Sequence, residues 1–194
     1  ITPEDYAEVA MRHPEVVNAT AIARWTGAWQ TMLIYVDRAE GRQVDPGFRR
    51  EVEDFLDRYR MIGCDVAVRA PRPAPLDIHL EICVAPSALR SEVAAAVRTA
   101  LRPTGPADGS PGFFHPDRLT FGTPLYLSVL VATVMAVKDV ASVTPRRFQR
   151  LGRRDAGELR AGVIRPAEAE ILELADDPNF PERGRLTLNM GGGR

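Results

Sequence analysis

The spacing of apolar residues changes several times early in the chain and marks out successive elements. Thr2 and Pro3 are a helix-capping residue followed by proline, so we expect a short helix that ends before Pro14. Residues 16–25 and 31–36 are rich in β-branched and alternating apolar side chains, a pattern typical of strands. The short segment between them predicts a hairpin.

A second helix and a third strand complete the first predicted domain. Asp45 and Pro46 repeat the capping signal, and apolar residues then recur at helical spacing over residues 48–59. Residues 64–68 return to the composition of a strand. We therefore predict an α-β-β-α-β domain over residues 1–70.

Three prolines within five positions separate this domain from the rest of the chain, and we expect residues 71–75 to form an extended linker. Residues 76–84 alternate strictly between apolar and polar side chains and predict a half-buried strand. A helix over 87–101 precedes a long expected loop, 103–116, in which half of the residues are Pro or Gly. Further expected elements are an apolar helix at 125–137 and strands at 140–148, 169–174 and 185–189.

The predicted fold class is therefore α+β, with two small α/β-sandwich domains, residues 1–70 and 76–194, joined by the proline-rich linker. A chain of 194 residues that is 45% hydrophobic can bury a core. Because 25 Lys and Arg balance 26 Asp and Glu, the chain lacks the overall positive field of a polybasic protein. Lys138 is the one lysine, and arginine is the cation suited to bidentate contacts.

Cysteine content and hydropathy exclude two further classes. Cys64 and Cys83 are too few for a disulfide framework, and we expect both to be packing residues with free thiols. The longest apolar run, residues 125–137, is shorter than the ~18–20 residues that cross a bilayer, so we expect no membrane insertion. The sequence opens on Ile1, and we expect it to be a piece of a longer protein.

One polar group of residues could carry chemistry. Asp77, His79 and Glu81 lie on one face of the predicted strand and are residue types that bind metal ions. An outward strand face is polar in any case, so a solvated or interface face is favoured, and a metal-dependent enzyme using these residues is the alternative. Nucleophile-elbow and phosphate-loop motifs do not occur, so the sequence indicates no catalytic residues and no cofactor.

A cluster of arginines is the strongest charged feature. Clustered arginines bind phosphates, but this chain has no net positive charge, so a solvated strand end or a protein-protein contact is favoured over nucleic acid. We expect the first three members to make that contact. The cluster consists of Arg146, Arg147, Arg150, Arg153 and Arg154.

Short segments in a consistent order resemble the baseplate J-like proteins, and the resemblance spans essentially the whole chain. The first segments are Glu4-Asp5-Tyr6, Pro14-Glu15-Val16, Trp25-Thr26-Gly27-Ala28-Trp29, Arg60-Met61-Ile62-Gly63 and Pro75-Leu76-Asp77-Ile78. The later ones are Gly112-Phe113-Phe114-His115-Pro116, Leu119-Thr120-Phe121-Gly122, Leu125-Tyr126-Leu127-Ser128, Ala169-Glu170-Ile171 and Pro181-Glu182 with Gly184 and Leu186. The chain would correspond to the carboxy-terminal part of a longer family member.

The resemblance implies a structural wedge protein in the baseplate of a contractile phage tail, a tailocin or another contractile injection system. Such wedges form a sixfold ring around the hub and spike, connect to the sheath and rearrange on contraction. The implied partners are copies of the chain itself, other wedge subunits, and hub, spike and sheath-proximal proteins, with assembly in the bacterial cytoplasm. The family is structural, so the resemblance implies neither an enzyme activity nor a cofactor.

Aromatic residues beside turns and in the Pro/Gly loop are the remaining candidates. These positions suit a core poorly, so we expect some of the rings to anchor contacts with neighbouring subunits. The alternative is that each ring packs against its own domain. The candidates are Trp25, Trp29, Phe113, Phe114 and Phe121.

Overall fold

The computed structural model describes residues 2–194, which divide into two compact units. The first unit runs to Arg72 and takes in two later segments, Thr120–Gly122 and Pro166–Ile171. The second unit comprises Pro73–Leu119, Thr123–Arg165 and Leu172–Arg194. Helices and β-sheets occur in both units, which confirms the predicted α+β class.

The first unit follows the predicted order of elements. These are α1 (Pro3–Ala10), β1 (Val16–Trp25), β2 (Gln30–Arg38), α2 (Pro46–Asp57) and β3 (Cys64–Arg69). β1 and β2 form an antiparallel hairpin, whereas β3 runs parallel to β2. A parallel pair needs a crossover connection, and α2 supplies it.

Both helices of the first unit begin at the predicted capping residues. Thr2 Oγ1 accepts the Asp5 N–H at 3.3 Å, and the Asp5 carboxylate accepts the Thr2 N–H at 2.7 Å. Asp45 Oδ1 accepts the N–H groups of Gly47 and Phe48 at 2.9 and 3.0 Å. The first N–H groups of a helix have no intrahelical acceptor, so these oxygens complete the first turns.

One face of the three-stranded sheet is covered by α1 and α2. Met32, Ile34 and Val36 are at most 3% exposed, and they pack in one core cluster with Tyr6 of α1 and apolar residues of α2. The eight residues of α1 rise only about 12 Å, while the ten residues of β1 extend about 33 Å. α1 is therefore shorter than the strand on which it packs, and Trp25 at the end of β1 is exposed.

The remaining elements, most of them in the second unit, are built around a long central strand. They are β4 (Arg72–Val84), α3 (Arg90–Leu101), β5 (Leu125–Tyr126), α4 (Leu127–Met135), β6 (Val140–Arg150), α5 (Glu158–Ala161), β7 (Val163–Ile164), β8 (Glu170–Glu173) and β9 (Arg185–Gly192). β4 pairs antiparallel with β6 and parallel with β9, and it also pairs with β8. β5 and β7 form a separate two-stranded sheet.

The side chains of β4 alternate between two environments, as the sequence predicts. Leu76, Ile78, Leu80 and Ile82 are at most 1% exposed and form the core side of the strand. α4 packs on β6, and α3 packs on β9. The intervening polar side chains of β4 therefore lie on the opposite face of the sheet.

The proline-rich segment continues β4. Arg72 donates its N–H to the carbonyl oxygen of Ala169 at 2.8 Å, and the carbonyl oxygen of Pro75 accepts the N–H of Leu151 at 2.8 Å. Residues 72–75 are thus hydrogen-bonded extended backbone in the structure and not a free-standing linker. Proline permits this because its fixed φ suits an extended chain and its carbonyl still accepts.

The apolar run predicted as a single helix is divided in the structure. Leu125 and Tyr126 pair with β7, and α4 begins at Leu127. The prediction of one helix over 125–137 was therefore wrong for the first two residues. In a short, uniformly apolar run, the spacing of apolar residues does not distinguish a strand from a helix. Within residues 2–194, no helix is long and apolar enough to cross a membrane.

The Pro/Gly loop, residues 103–116, folds back on the end of α3. The N–H of Phe114 donates to the carbonyl oxygen of Leu101 at 3.2 Å. A Cβ atom at Gly112 would lie 1.7 Å from the carbonyl oxygen of Arg102. Glycine is required at this position because the two backbone segments approach so closely.

Candidate functional site

The polar face of β4 carries a buried carboxylate that two arginines from neighbouring strands hold. The Asp77 side chain is 5% exposed. Nη1 of Arg147, on β6, lies 3.1 Å from Asp77 Oδ2, and Nη2 of Arg185, on β9, lies 3.0 Å from the same oxygen. Charge-assisted bonds of this kind are among the stronger hydrogen bonds in proteins. The Asp77 contacts therefore join the three strands across their polar face.

A second ion pair, between Arg146 Nη2 and Glu81 Oε2 at 2.7 Å, lies on the same face. His79 of β4 pairs with Arg147 of β6, whereas the next residue, Leu80, pairs with Pro145. Arg146 is therefore the extra residue of a β-bulge in β6. The bulge lets two consecutive arginines reach one face of the sheet. We call Asp77, Glu81, Arg146, Arg147 and Arg185 the ion-pair face.

Hydrogen bonds keep the ion-pair face charged. The bond from Arg146 lowers the pKa of Glu81 below its ordinary value, and the same contact raises the pKa of Arg146. The bond to Asp77 likewise raises the pKa of Arg185. Three arginines and two carboxylates leave this face with one excess positive charge, which suits contact with an acidic protein surface.

The three residues considered as metal ligands do not assemble into an ion site. Asp77 and Glu81 both accept hydrogen bonds from arginines, whose charge disfavours a second cation. Nε2 of His79 is buried without a hydrogen-bond partner in the described part of the chain. Among residues 2–194, no three His, Cys, Asp or Glu side chains are grouped so that they could hold a metal ion. The metal-enzyme alternative therefore gains no geometric support.

A shallow pocket of about 280 Å³ opens beside Glu81 and is also lined by Ser142, Asn189 and the exposed Cys83. No histidine is part of this lining, and its one carboxylate, that of Glu81, is paired with Arg146. Exposure of Cys83 corrects the expectation that it is a packing residue, since it lies on the polar side of β4. Cys64, by contrast, packs against the core of the first unit as expected.

The arginine cluster is divided between the ion-pair face and the backbone. Arg146 and Arg147 belong to the ion-pair face, and their side chains remain 56% and 42% exposed. Nη2 of Arg150 instead donates to the carbonyl oxygen of Arg165 at 2.8 Å. The first two arginines are therefore the more accessible to a partner.

The aromatic candidates differ in exposure. Trp25 and Trp29 flank the hairpin turn and are 71% and 53% exposed. Phe113 and Phe121 are half-buried. Phe114 is 3% exposed and packs edge-to-face on Phe113, with ring centroids 4.9 Å apart. The expectation that Phe114 anchors an interface is corrected, because the loop folds back on α3 and places this ring in the core.

Three more exposed apolar residues lie at the same end of the sheet as the two tryptophans. Tyr59, Met61 and Ile62 precede β3, and their exposures are 41%, 46% and 106%. Because β3 is parallel to β2, with Cys64 opposite Gln30, the start of β3 lies beside the hairpin turn. We call Trp25, Trp29, Tyr59, Met61 and Ile62 the apolar end patch. The sequence signal that could have indicated this patch is the apolar content of the loop before β3, where polar residues are expected.

Comparison with protein families supports the resemblance drawn from the sequence. Residues 1–69 match the sequence model of the Baseplate J-like central domain. This match confirms the resemblance to baseplate J-like proteins over the first unit. No curated protein matches the chain.

The fold is similar to that of a protein in a solved assembly. The match is to a chain of the structure titled "Cryo-EM structure of the anti-feeding prophage (AFP) baseplate, 6-fold symmetrised", with a TM-score of 0.52 and 14% sequence identity. The alignment covers 89% of this chain and 37% of that chain. The present chain thus spans little more than a third of its matched relative, and at this identity the likeness is one of fold.

Proposed function

We propose that this chain, whose residues 1–69 match the Baseplate J-like central domain, is a structural component of the baseplate of a contractile injection system or phage-like tail. The family match is the observation that carries the proposal. A fold similar to a chain of the AFP baseplate supports it over most of the sequence. We place the chain in a wedge of the ring that surrounds the hub and spike and rearranges on contraction.

The role we propose is mechanical and not catalytic. Asp77 and Glu81, the carboxylates that could serve an enzyme, form ion pairs with arginines. The same ion pairs cross-link strands, which suits a subunit that transmits force. Small rigid units with charged and apolar surfaces can change neighbours or pivot without unfolding.

The partners we propose are copies of the chain in a ring, other wedge subunits, and hub, spike or sheath-proximal proteins, with assembly in the bacterial cytoplasm. Arg146 and Arg147 suit an acidic surface of a neighbouring subunit, and Trp25 and Trp29 suit apolar pockets. Less accessible candidates for such contacts are Phe113, Phe121 and Arg150.

Particles made with and without this chain test the baseplate role. Deleting its coding sequence from the source operon should leave particles without complete baseplates in negative-stain images, and supplying the intact chain from a plasmid should restore them. Complete baseplates in the deletion strain would contradict the proposal.

Charge reversal tests the ion-pair face as a contact surface. Arg146→Glu should reduce the fraction of particles with complete baseplates, because it removes the positive charge offered to an acidic neighbour. Lys138→Glu is the matched control, since this exposed lysine lies outside the face. Equal assembly with both variants, after folding has been checked by circular dichroism, would remove the ion-pair face from the contacts.

A further inference from the structure

We propose that the apolar end patch binds the same patch of a second copy of this chain, so that two chains form a two-fold symmetric dimer. The inference rests on the proposed baseplate role and adds a pairwise contact to those of the ring, because a two-fold contact joins two copies and does not by itself extend a ring. Its starting point is the exposed apolar end of the first-unit sheet at the hairpin turn.

The size of the apolar end patch is that of one side of a protein interface. Large side chains present ~150–250 Å² each, so five such side chains with the exposures given above expose on the order of 600 Å². This is at the upper limit of about 600 Å² for apolar patches on monomers and close to the ~800 Å² that each partner contributes to a standard interface. Tryptophan and tyrosine are also the residues enriched at the energetic centres of interfaces.

The backbone beneath the patch is already ordered by hydrogen bonds. The N–H of Thr26 donates to the carbonyl oxygen of Trp29 at 3.0 Å and closes the hairpin turn. The N–H of Met61 donates to Tyr6 Oη at 3.1 Å, and its carbonyl oxygen accepts the N–H of Cys64 at 3.2 Å. The backbone that carries the exposed side chains is therefore ordered before binding, which reduces the conformational entropy lost on binding.

The strand order makes this end of the sheet complementary to itself. Trp25 lies at the end of β1, and the loop with Met61 and Ile62 lies at the start of β3, with β2 between them. A two-fold axis perpendicular to the sheet and beside the end of β2 places β1 of one copy opposite β3 of the other. Trp25 of each copy then meets Met61 and Ile62 of its mate.

The charges next to the patch obey the same symmetry. Arg24 and Asp65 both pair with Thr31 of β2 and so lie on one face of the sheet, on opposite edge strands. Both are exposed, and neither has a charged partner among the residues that the structure describes. The axis that joins the apolar residues also brings Arg24 of each copy opposite Asp65 of the other. This double complementarity favours a second copy over an unrelated partner.

Sedimentation equilibrium of the purified chain tests the dimer directly. Over protein concentrations from about 1 to 200 µM, the range expected to include the Kd of a small interface, the wild-type chain should pass from monomer to dimer. Trp25→Ala and Ile62→Asp should each weaken dimerisation at least about 30-fold, because each removes an anchor from both copies. Met11→Ala, which shortens an exposed side chain at the other end of α1, should leave it unchanged.

A charge exchange tests the geometry of the dimer. Arg24→Asp alone and Asp65→Arg alone should each weaken dimerisation about tenfold at low salt, since each places like charges opposite each other twice. The double variant with both changes should recover nearly the wild-type Kd. Arg50→Asp is the control for a reversed charge outside the patch.

Three results would overturn the inference. They are a wild-type chain that stays monomeric throughout, patch variants that dimerise like wild type, and a charge exchange that fails to restore dimerisation. The baseplate role has a separate readout. A monomeric chain whose deletion still abolishes baseplates would refute the dimer alone, whereas a dimeric chain that baseplates do not need would refute the assembly role alone.

Discussion

Replacing Asp77 by asparagine tests whether the arginine contacts on the polar face of β4 hold the second unit together. The variant keeps the shape of the side chain but removes its charge and places an amide NH₂ near the guanidinium groups of Arg147 and Arg185. We expect a clear loss of stability, because the carboxylate is only 5% exposed and water can replace little of the lost bonding.

The magnitude follows from the number and exposure of the contacts. Hydrogen bonds to charged groups contribute ~1.5–3 kcal/mol each, and breaking a fully buried ion pair costs ~3–5 kcal/mol. Arg147 and Arg185 are 42% and 57% exposed and regain water when Asp77 loses its charge, which lowers the cost. We therefore expect a loss of about 2–3 kcal/mol, or about 5–10 °C in Tm for a chain of this size.

Thermal and urea unfolding followed by far-UV circular dichroism measure this change. Glu81→Gln is the matched control, because Glu81 lies on the same strand and face and also pairs with an arginine, but its side chain is 41% exposed. Its effect on the melting curve should be too small to resolve. Equal shifts for the two variants would refute the reasoning, since burial is then not what makes the Asp77 contacts matter.

Three further predictions concern a helix cap, a glycine and an aromatic ring. Acidification below about pH 4 should lower the free energy of unfolding, since the Phe48 N–H holds the pKa of Asp45 below its ordinary value and protonation removes this stabilisation. Asp45→Asn, which still caps the helix, should weaken that dependence in an acid titration. Gly112→Ala should destabilise the chain strongly in thermal unfolding, because the added Cβ would overlap the carbonyl oxygen of Arg102. Gly191→Ala is the control and should be nearly neutral, because its Cβ would lie 4.0 Å from the carbonyl oxygen of Ile82. Phe114→Ala should cost ~3–5 kcal/mol in urea unfolding as a buried ring, and a loss typical of a surface residue would contradict its place in the core.

Local sequence signals predicted the first unit well because its elements carry strong local information. The bounds of β1 match the predicted strand, and α2 begins after the predicted cap at Asp45. Capping residues act within one helical turn and strand periodicity within a few residues, so neither depends on distant parts of the chain. The alternation of β4 was visible for the same reason.

Short elements that depend on distant pairing were not predictable. The sequence pattern predicted that Leu125 and Tyr126 begin an apolar helix, and only their pairing with β7 makes them a strand. α5 and β7 are too short to leave a periodic signal. Phe114 illustrates the same limit for single residues, since its burial depends on how the loop returns to α3.

The amino-acid sequence by itself determined the α+β class, the order of elements in the first unit, and a resemblance to baseplate J-like proteins that the family match confirms. The tertiary structure decided which side chains meet. The arginine contacts of Asp77 require residues from three strands, and the apolar end patch requires the parallel register of β2 and β3. Periodicity shows which side of an element is apolar, but strand register and crossover connections set the neighbours, because these involve residues far apart in the chain.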